Sequence, residues 1–321
     1  MLASRDPPEV QKSLCYGQSR VDFILNVLRR SLVQALALGL VAPWAYARVL
    51  RDPRSLDVSE NQKRIVALDA FFAEMLAAMG LPPVAMTMRA GGTPPPHLAD
   101  ALGDIASVGL HSAPDYEAVI GMRPDLIVGQ AARFASEASL LESIAPTLLM
   151  NEPADNWRGF MKALADGLGQ RAAAEQSIRA YDRRVANMRE SLGHRGRRPT
   201  VLLLRVRQKD IRIYGGAERR AGLVMYHDLG LEPHALTPVD EKHITISMEI
   251  IPQIDADVLL LMAEDEARMS SIEQLELWRQ LPAVKAGRVH RVNMAWWNRS
   301  VGPISFGRIL DDIAKVFGLS A

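Results

Sequence analysis

Residues 106–129 read ASVGLHSAPDYEAVIGMRPDLIVG, and this stretch carries the densest set of structural signals in the chain. Asp115 is a good N-cap for a helix that begins directly after it, and the helix dipole favours Glu117 in the first turn. Pro124 disfavours the helical conformation at the residue before it, so the helix ends there. Residues 125–128 are short, apolar and β-branched, which is typical of a strand buried on both faces. The stretch therefore predicts a strand, a crossover helix and a parallel strand.

The same alternation of strands and helices extends to both sides of this stretch. Strands are predicted at residues 64–68, 84–88, 147–150, 200–206, 211–214, 257–262 and 288–292. Helices are predicted at residues 70–79, 136–144, 219–229, 248–254, 272–278 and 304–316. Strands that alternate with helices at this spacing indicate an α/β fold with mostly parallel sheets, covered by helices on both faces.

One predicted helix, at residues 170–192, is longer than the others and separates two α/β sets. At about 1.5 Å per residue it spans on the order of 35 Å, enough to reach from one small lobe to another. We therefore expect an N-terminal lobe at residues 60–155, a helical segment at residues 156–196 that includes the long helix, and a C-terminal lobe at residues 197–321.

Composition excludes several classes of protein. The chain has 321 residues, 48% of them hydrophobic and 23% charged, which is ordinary for a globular protein. Its 38 Lys and Arg against 37 Asp and Glu give a net charge of +1, so no nucleic-acid partner is indicated. A single cysteine, Cys15, excludes an intramolecular disulfide framework and a cysteine-based zinc site. Nothing in the sequence argues for an oligomer, and we expect a monomer.

Residues 1–47 are predicted to be removed on export. Paired arginines at 29 and 30 precede an uncharged apolar run at residues 31–42, and Ala-Tyr-Ala at 45–47 has the form of a cleavage site. The run is too short for a transmembrane helix, which needs about 20 apolar residues. We predict a signal peptide cleaved after Ala47 and a periplasmic location, with the arginine pair compatible with the twin-arginine route. An uncleaved anchor helix is the alternative, and residues 1–26 fit a mis-assigned start better than a leader.

Nucleotide and hydrolase motifs are missing from the sequence. It contains no phosphate-binding loop ending in Lys-Ser or Lys-Thr, no Gly-x-Gly-x-x-Gly, no Gly-x-Ser-x-Gly elbow and no His-Glu-x-x-His. The histidines are scattered, and their spacing predicts no metal site. We therefore expect neither a catalytic centre nor a bound cofactor.

Loops next to predicted strand ends carry the residues suited to gripping a bulky, partly aromatic or anionic small molecule. Ligands of open α/β sheets bind outside the carboxyl ends of the strands, and an indole in such a loop offers stacking area and one N–H donor. Solvated arginines, surface or core histidines and a core-capping indole remain the alternatives. The candidates are Arg89, His111, Arg133, His243, Trp296 and Trp297.

Five segments together resemble a known family over about 250 residues. From about residue 64 onward the chain is similar to the periplasmic iron–siderophore-binding proteins of ABC importers, most closely to the ferric-hydroxamate-binding type. The matching segments are RIVALD with the following Glu74, VGLHSAPDYEAVIGMRPDLIV, the helix at Trp157, SMEIIPQIDADVLLL, and a closing segment that contains LPAVKAGRVHRVN, its tryptophans and ILDDI.

The resemblance implies two lobes joined by a rigid helix, a shallow ligand site between them, and delivery of a ferric siderophore to a membrane permease and its ATPase without catalysis. It places ligand contacts at His111, where the hydroxamate binder has an arginine, at Arg133, near a tyrosine of that protein, and at Trp296 or Trp297. A histidine lacks the permanent charge and planar fork of arginine, which argues against a hydroxamate ligand, while restoration of the positive charge by Arg133 is the alternative.

The resemblance also gives Glu117 and Glu249 a function, as one surface glutamate per lobe that meets arginines of the permease. Without it, both would be helix N-terminal acids with no further role. Haem, cobalamin or a bare transition metal are alternative cargoes, the last requiring His111, His243 and a carboxylate to converge on one point. An α/β enzyme is the alternative from another class.

Overall fold

The N-terminal lobe is built on a six-stranded sheet in the computed structural model of this chain. The structure describes residues 64–89, 92–151, 156–194, 196, 198–215, 220–298 and 301–319, all within one compact unit, Arg51–Ala321. The predicted signal peptide at residues 1–47 and Cys15 lie outside the described residues. The strands are β1 (Ile65–Ala67), β2 (Ala85–Met88), β3 (Ala106–Leu110), β4 (Ala113–Pro114), β5 (Leu126–Gln130) and β6 (Thr147–Met150).

The strand order is β4-β3-β2-β1-β5-β6, and all neighbours are parallel except β3 and β4. Helices α1 (Ala70–Ala78), α2 (Ala99–Leu102), α3 (Tyr116–Gly121), α4 (Ala131–Phe134) and α5 (Ala138–Ile144) accompany it, with 3-10 turns at Pro96–Leu98 and Ala135–Glu137. β1, β2 and β6 are buried along their whole length, as expected for parallel strands covered on both faces.

Residues 106–129 fold as the sequence predicts. The Asp115 carboxylate accepts a hydrogen bond from the Ala118 N–H at 3.0 Å and caps α3. The helix ends before Arg123, which adopts a left-handed φ of 47° ahead of Pro124. Gly109 has a φ of 88°, and a Cβ there would lie 2.5 Å from the Asp115 nitrogen, so only glycine permits this turn from β3 into β4.

Two helices connect the lobes. α6 (Trp157–Gly167) is followed by α7 (Arg171–Gly193), a 23-residue helix that confirms the long helix predicted at residues 170–192. One face of α7 is buried, and its apolar positions recur at helical spacing. These positions are Ala174, Ile178, Tyr181, Val185, Met188 and Leu192.

The C-terminal lobe has a mixed sheet. Its strands are β7 (Thr200–Val206), β8 (Ile211–Tyr214), β9 (Glu232–Pro233), β10 (His243–Ile246), β11 (Val258–Ala263) and β12 (Val289–Arg291), in the order β10-β8-β7-β11-β12 with β9 beside β7. β7, β11 and β12 are parallel, whereas β8 is antiparallel to both of its neighbours. The expected fold class, two α/β lobes with mostly parallel sheets bridged by one long helix, is confirmed, while the lobe boundaries remain predictions.

The helical parts of this lobe differ from the predicted ones in several places. They are α8 (Arg220–Gly222), a π-helix (Leu223–Asp228), a 3-10 helix (Met248–Gln253), α9 (Glu266–Glu273), α10 (Glu276–Arg279), α11 (Pro282–Lys285), α12 (Met294–Trp297) and α13 (Pro303–Phe317). The single helices predicted at residues 219–229 and 272–278 were wrong in detail, because the first widens into a π-helix and the second is divided between α9 and α10. Among the described residues, no helix is long and apolar enough to cross a membrane.

Candidate ligand-binding cavity between the lobes

A cavity of ≈ 460 Å³ lies between the two lobes, at the carboxyl ends of β1, β2, β3 and β5. This is the position at which open α/β sheets bind ligands. The N-terminal lobe contributes Asp69, Ala70, Phe71, Glu74, Met86, Thr87, Arg89, Thr93, Pro94, Pro95, Pro96, His97, His111 and Gln130. Arg220, Lys242, Ala295, Asn298 and Val301 come from the opposite side.

Both carboxylates in the described lining stabilise helix N-termini. Asp69 caps α1 by accepting from the Phe72 N–H at 2.9 Å. Glu74 is only 2% exposed, and its Oε1 accepts from the backbone N–H and the hydroxyl of Ser305, both at 2.7 Å. Its second oxygen, Oε2, lies 3.7 Å from the His97 Nε2. The amides at the start of α13 therefore compensate a buried negative charge at the edge of the cavity.

His111 lies in the turn after β3, where its backbone N–H donates to the backbone carbonyl of Met88 at 2.7 Å. Burial lowers the pKa of its imidazole, and the positive charges of Arg133 and Arg89 lower this pKa further, against an opposing hydrogen bond with the Leu68 backbone. The neutral ring is therefore favoured at neutral pH. A neutral histidine can donate or accept one hydrogen bond to a ligand, whereas an arginine there would add a fixed charge.

On the C-terminal side, Arg220 and Asn298 are joined. Arg220 adopts a left-handed φ of 52°, and its Nη1 donates to the Asn298 carbonyl at 2.8 Å. Asn298 is 8% exposed, and its side-chain Oδ1 accepts no hydrogen bond from the part of the chain that the structure describes. The backbone of Asn298 thus orients the Arg220 guanidinium at the cavity wall.

Of the six candidates from the sequence, Arg89 and His111 line the cavity and the other four do not. Arg133 lies on α4 rather than in a loop, because Ala131–Phe134 forms a helical turn directly after β5. Its guanidinium sits over the Phe134 ring, 5.3 Å from the centroid. Its positive charge lowers the pKa of His111, which lines the cavity.

The two tryptophans do not occupy a loop, since they end the short helix α12. Both indole N–H groups donate to the same oxygen of Asp312, at 2.8 Å. Trp297 is 1% exposed, so its ring is a core residue rather than an open stacking surface. Trp296 is partly exposed.

His243 was expected in a loop but begins the edge strand β10, directly opposite Tyr214. The two rings stack with centroids 5.2 Å apart. The Tyr214 hydroxyl accepts a hydrogen bond from the Arg205 guanidinium at 2.7 Å. Burial lowers the pKa of His243, and Arg212 and Lys242 lower it further.

Sequence reasoning missed Arg220, Lys242 and Asn298 as cavity residues. The signal that could have indicated Arg220 is its place shortly after the Gly215-Gly216 pair behind β8. Lys242 is one of 38 basic residues, and nothing in its neighbourhood distinguishes it from a solvated side chain. Within the described ranges, no three His, Cys, Asp or Glu side chains are grouped so that they could hold a metal ion.

Glu117 and Glu249 occupy equivalent positions in the two lobes. Each is exposed in the first turn of a helical segment that follows an edge strand, β4 for Glu117 and β10 for Glu249. Each of these edge strands is antiparallel to its neighbour. Ile120, one turn after Glu117 on α3, is a large apolar side chain that is 56% exposed.

Comparisons with known proteins agree with this architecture. A family model described as periplasmic binding protein matches residues 65–293. The probable siderophore-binding lipoprotein YfiY of Bacillus subtilis (strain 168) is 30% identical over 276 residues, which are 81% of this chain and 84% of that protein. The achromobactin-binding periplasmic protein of Dickeya dadantii (strain 3937) is 27% identical over 304 residues, which are 92% of this chain and 96% of that protein.

Among solved structures, Staphylococcus aureus SirA superposes with a TM-score of 0.66 at 23% identity, covering 81% of this chain and 100% of that chain. At this level of identity the likeness concerns the fold alone. The family model, in contrast, spans more than half of the sequence and includes both sheets. The expectation from the sequence is confirmed: this chain belongs to the periplasmic binding protein family.

Proposed function

We propose that this protein captures a ferric siderophore in the cavity between its lobes and delivers it to an ABC permease, with its ATPase, in the inner membrane. The observation that carries the proposal is the ≈ 460 Å³ cavity at the carboxyl ends of the strands, lined from both sides of the molecule. The printed names of YfiY and of the achromobactin-binding protein support an iron chelate as cargo.

The chemistry of the lining suits this cargo. The iron of a ferric siderophore arrives already coordinated, so the protein needs to supply shape, charge and hydrogen bonds rather than metal ligands. Arg89, Arg220 and Lys242 provide charge, and His111 provides a neutral hydrogen-bonding ring. No reaction is required of these groups, so we infer binding and release without a covalent change to the ligand.

The six residues named from the sequence stay predictions as ligand contacts. Arg89 and His111 are supported by their place in the lining. Arg133 is supported by its charge effect at His111. For His243, Trp296 and Trp297, contact with a ligand would require a change from the arrangement described above.

For hand-over, we propose that Glu117 and Glu249 pair with basic groups of the permease. Their exposed positions, one in each lobe, support a docking contact of each lobe with the permease. Export to the periplasm with cleavage after Ala47, and a monomeric mature protein, complete the proposal. Sequencing the N-terminus of the mature protein and measuring its mass in solution test these two points.

The decisive experiment is titration of the purified mature protein with a panel of ligands, followed by tryptophan fluorescence and calorimetry. The panel contains ferrichrome, ferric citrate, a ferric catecholate, haem, cobalamin and an iron-free control for each chelator. We expect saturable binding of at least one ferric chelate and none of its iron-free form. If only haem or cobalamin binds, the cargo is that compound and not a ferric siderophore. If the protein turns over an ester or a nucleotide and this activity depends on a cavity residue, the protein is an enzyme and the transport proposal is rejected.

A further inference from the structure

Part of the N-terminal side of the cavity is an apolar wall. It is formed by the first two residues of α1 and by three consecutive prolines in the loop after β2. These residues are Ala70, Phe71, Pro94, Pro95 and Pro96. None of the five is buried, so their surfaces can contact a ligand.

The three prolines of the apolar wall are rigid and offer no backbone donor. A pyrrolidine ring fixes φ near about −65° and removes the N–H group. The carbonyl oxygen of Pro95 accepts a hydrogen bond from the Leu98 N–H at 2.9 Å. That of Pro96 accepts from the Ala99 N–H. This stretch therefore presents mainly ring carbons to a ligand.

The proline stretch is anchored against α1. His97 follows it directly, and the His97 Nε2 lies 3.7 Å from the Glu74 Oε2. Glu74 and Phe71 are three positions apart on α1, so they are neighbours on the surface of this helix. His97 and Glu74 are both buried, whereas Phe71 is partly exposed. This contact places the prolines and Phe71 on the same side of the cavity.

The Phe71 ring is held in place by two other aromatic rings. Its centroid lies 4.8 Å from that of Phe160 and 5.6 Å from that of Phe72. Aromatic pairs at these separations stabilise each other beyond the area that they bury. The ring is therefore positioned before a ligand arrives, and its contact with a ligand costs little conformational freedom.

Polar side chains beside the apolar wall are engaged by the protein itself. The Asp69 carboxylate caps α1. The Thr87 hydroxyl donates to the Leu68 carbonyl at 2.6 Å, and Glu74 accepts two hydrogen bonds from Ser305. A ligand group at this wall therefore gains more from the burial of apolar surface than from new hydrogen bonds.

The apolar wall suits a different part of a ligand from the part that meets Arg89 and His111 at the ends of β2 and β3. We propose that the wall is a subsite for an apolar arm of the ligand. The cargo is then an amphiphilic ferric chelate, with an aryl or alkyl group that does not coordinate the iron. This inference rests on the proposed function and specifies its substrate class.

The test uses three ferric chelates with the same iron site. Ferrioxamine B is acylated at its terminal amine with an acetyl, a hexanoyl or a benzoyl group, which gives neutral complexes that differ only in the appended group. We expect the hexanoyl and benzoyl complexes to bind at least about tenfold more tightly than the acetyl complex, because burial of two methylene groups corresponds to about this factor. Their binding should also show a more negative heat-capacity change, which marks the burial of apolar surface.

Variants at Phe71 locate the arm. Phe71→Ala should weaken binding of the benzoyl complex by about tenfold, while binding of the acetyl complex changes little. Phe71→Leu keeps an apolar side chain and should lose less. Leu140→Ala on α5 is the matched control, because it truncates an exposed apolar side chain outside the described lining. Thermal unfolding of each variant separates lost affinity from lost stability, and if Phe71→Ala does not fold, Phe71→Leu and the order of affinities in wild type decide.

The outcomes distinguish this inference from the function on which it rests. Equal affinities for the three complexes, or equal losses for the acetyl and benzoyl complexes in Phe71→Ala, would overturn the apolar subsite and leave siderophore capture intact. The subsite is also rejected if none of the three complexes binds while another ferric chelate of the panel does. Failure of every ferric chelate to bind would reject siderophore capture itself, and the inference with it.

Discussion

Glu74 and Ser305, 231 positions apart in the chain, are joined by two hydrogen bonds to a single carboxylate oxygen at the edge of the ligand cavity. The contact ties helix α1 of the N-terminal lobe to the first turn of the C-terminal helix α13. Gly302 makes it possible, because a Cβ there would lie 2.5 Å from the Glu74 carboxylate. Farther along α13, Arg308 pairs with Asp100 of the N-terminal lobe at 2.6 Å.

Replacing Glu74 by alanine should destabilise the protein strongly. The change leaves the Ser305 N–H and hydroxyl without this acceptor and removes the negative charge from the start of α13. Hydrogen bonds to a charged group contribute about 1.5–3 kcal/mol, so we expect a loss of about 2–4 kcal/mol of unfolding free energy, measured by urea denaturation. Glu74→Gln keeps an acceptor and should lose less, whereas Glu117→Ala, at an exposed position, should change little. If Glu74→Ala is as stable as wild type, Glu74 does not stabilise the N-terminus of α13.

Trp297→Ala should act on stability before it acts on binding. The indole is fully buried and its N–H donates to Asp312, so truncation should cost about 3–5 kcal/mol, as for other buried aromatic residues. Trp296→Ala should cost less because that ring is partly exposed. Chemical denaturation of both variants checks the order. If Trp297→Ala is as stable as wild type but fails to bind the ligand, Trp297 is a ligand contact and not a core residue.

These tryptophans show where sequence reasoning reaches its limit. Local patterns were sufficient for Asp115 as a cap, for the end of α3 before Pro124 and for α7, because each depends on neighbours within a few positions. The partner of both indoles, Asp312, lies in a different helix, 15 and 16 positions away. No periodicity indicates such a pairing.

The mixed C-terminal sheet illustrates the same limit for strands. The alternation of elements predicted mostly parallel pairing, and β7, β11 and β12 follow it. The edge strand β10 was not predicted, because its short segment contains His243 and Thr245 and shows little apolar patterning. Arg220 and Lys242 line the same cavity as Arg89 only in the folded protein, so no local sequence pattern identifies them as cavity residues.

Stability should depend on pH through His111. Its pKa in the folded protein is lowered from 6.5, so protonation favours the unfolded chain. The corresponding stability is present above about pH 6.5 and is lost as the pH falls through the lowered pKa. Wild type should therefore lose more unfolding free energy between pH 7 and 5 than His111→Gln, as measured by denaturation at each pH. If His111→Gln loses more unfolding free energy than wild type over this pH range, the pKa of His111 is not lowered in the folded protein.

The double variant Glu117→Ala, Glu249→Ala should bind ligand as wild type does but fail in uptake. Both side chains are exposed and outside the described cavity lining, so the cavity is unchanged. Radioactive iron uptake by cells and calorimetry on the purified protein separate the two effects. Glu142→Ala with Glu190→Ala removes two other exposed acids and is the matched control. If the Glu117→Ala, Glu249→Ala variant shows normal uptake, these two glutamates do not dock the protein to the permease.

Tyr181→Phe should loosen the attachment of the bridging helix to the C-terminal lobe. The Tyr181 hydroxyl donates at 2.8 Å to Asp228, a buried carboxylate at the end of the π-helix, whose second oxygen lies 3.6 Å from Arg158. Burial, followed by the charge of Asp228, raises the pKa of Tyr181 well above 10, so the hydroxyl stays a donor. Leaving Asp228 without it should cost about 1–3 kcal/mol. A double-mutant cycle with Asp228→Ala, which removes the acceptor, measures this coupling, and strictly additive effects would contradict it.

The pairing of Glu74 with Ser305 also sets an order of events during synthesis. The ribosome completes the N-terminal lobe's own strands long before it adds residues 303–317. Until then the Glu74 carboxylate lacks its two hydrogen bonds from Ser305. This carboxylate, which is buried in the finished protein, therefore stays hydrated. The N-terminal lobe is synthesised first but gains this contact last, and a chain released before its final helix lacks the two hydrogen bonds that Ser305 makes to Glu74 at the edge of the cavity.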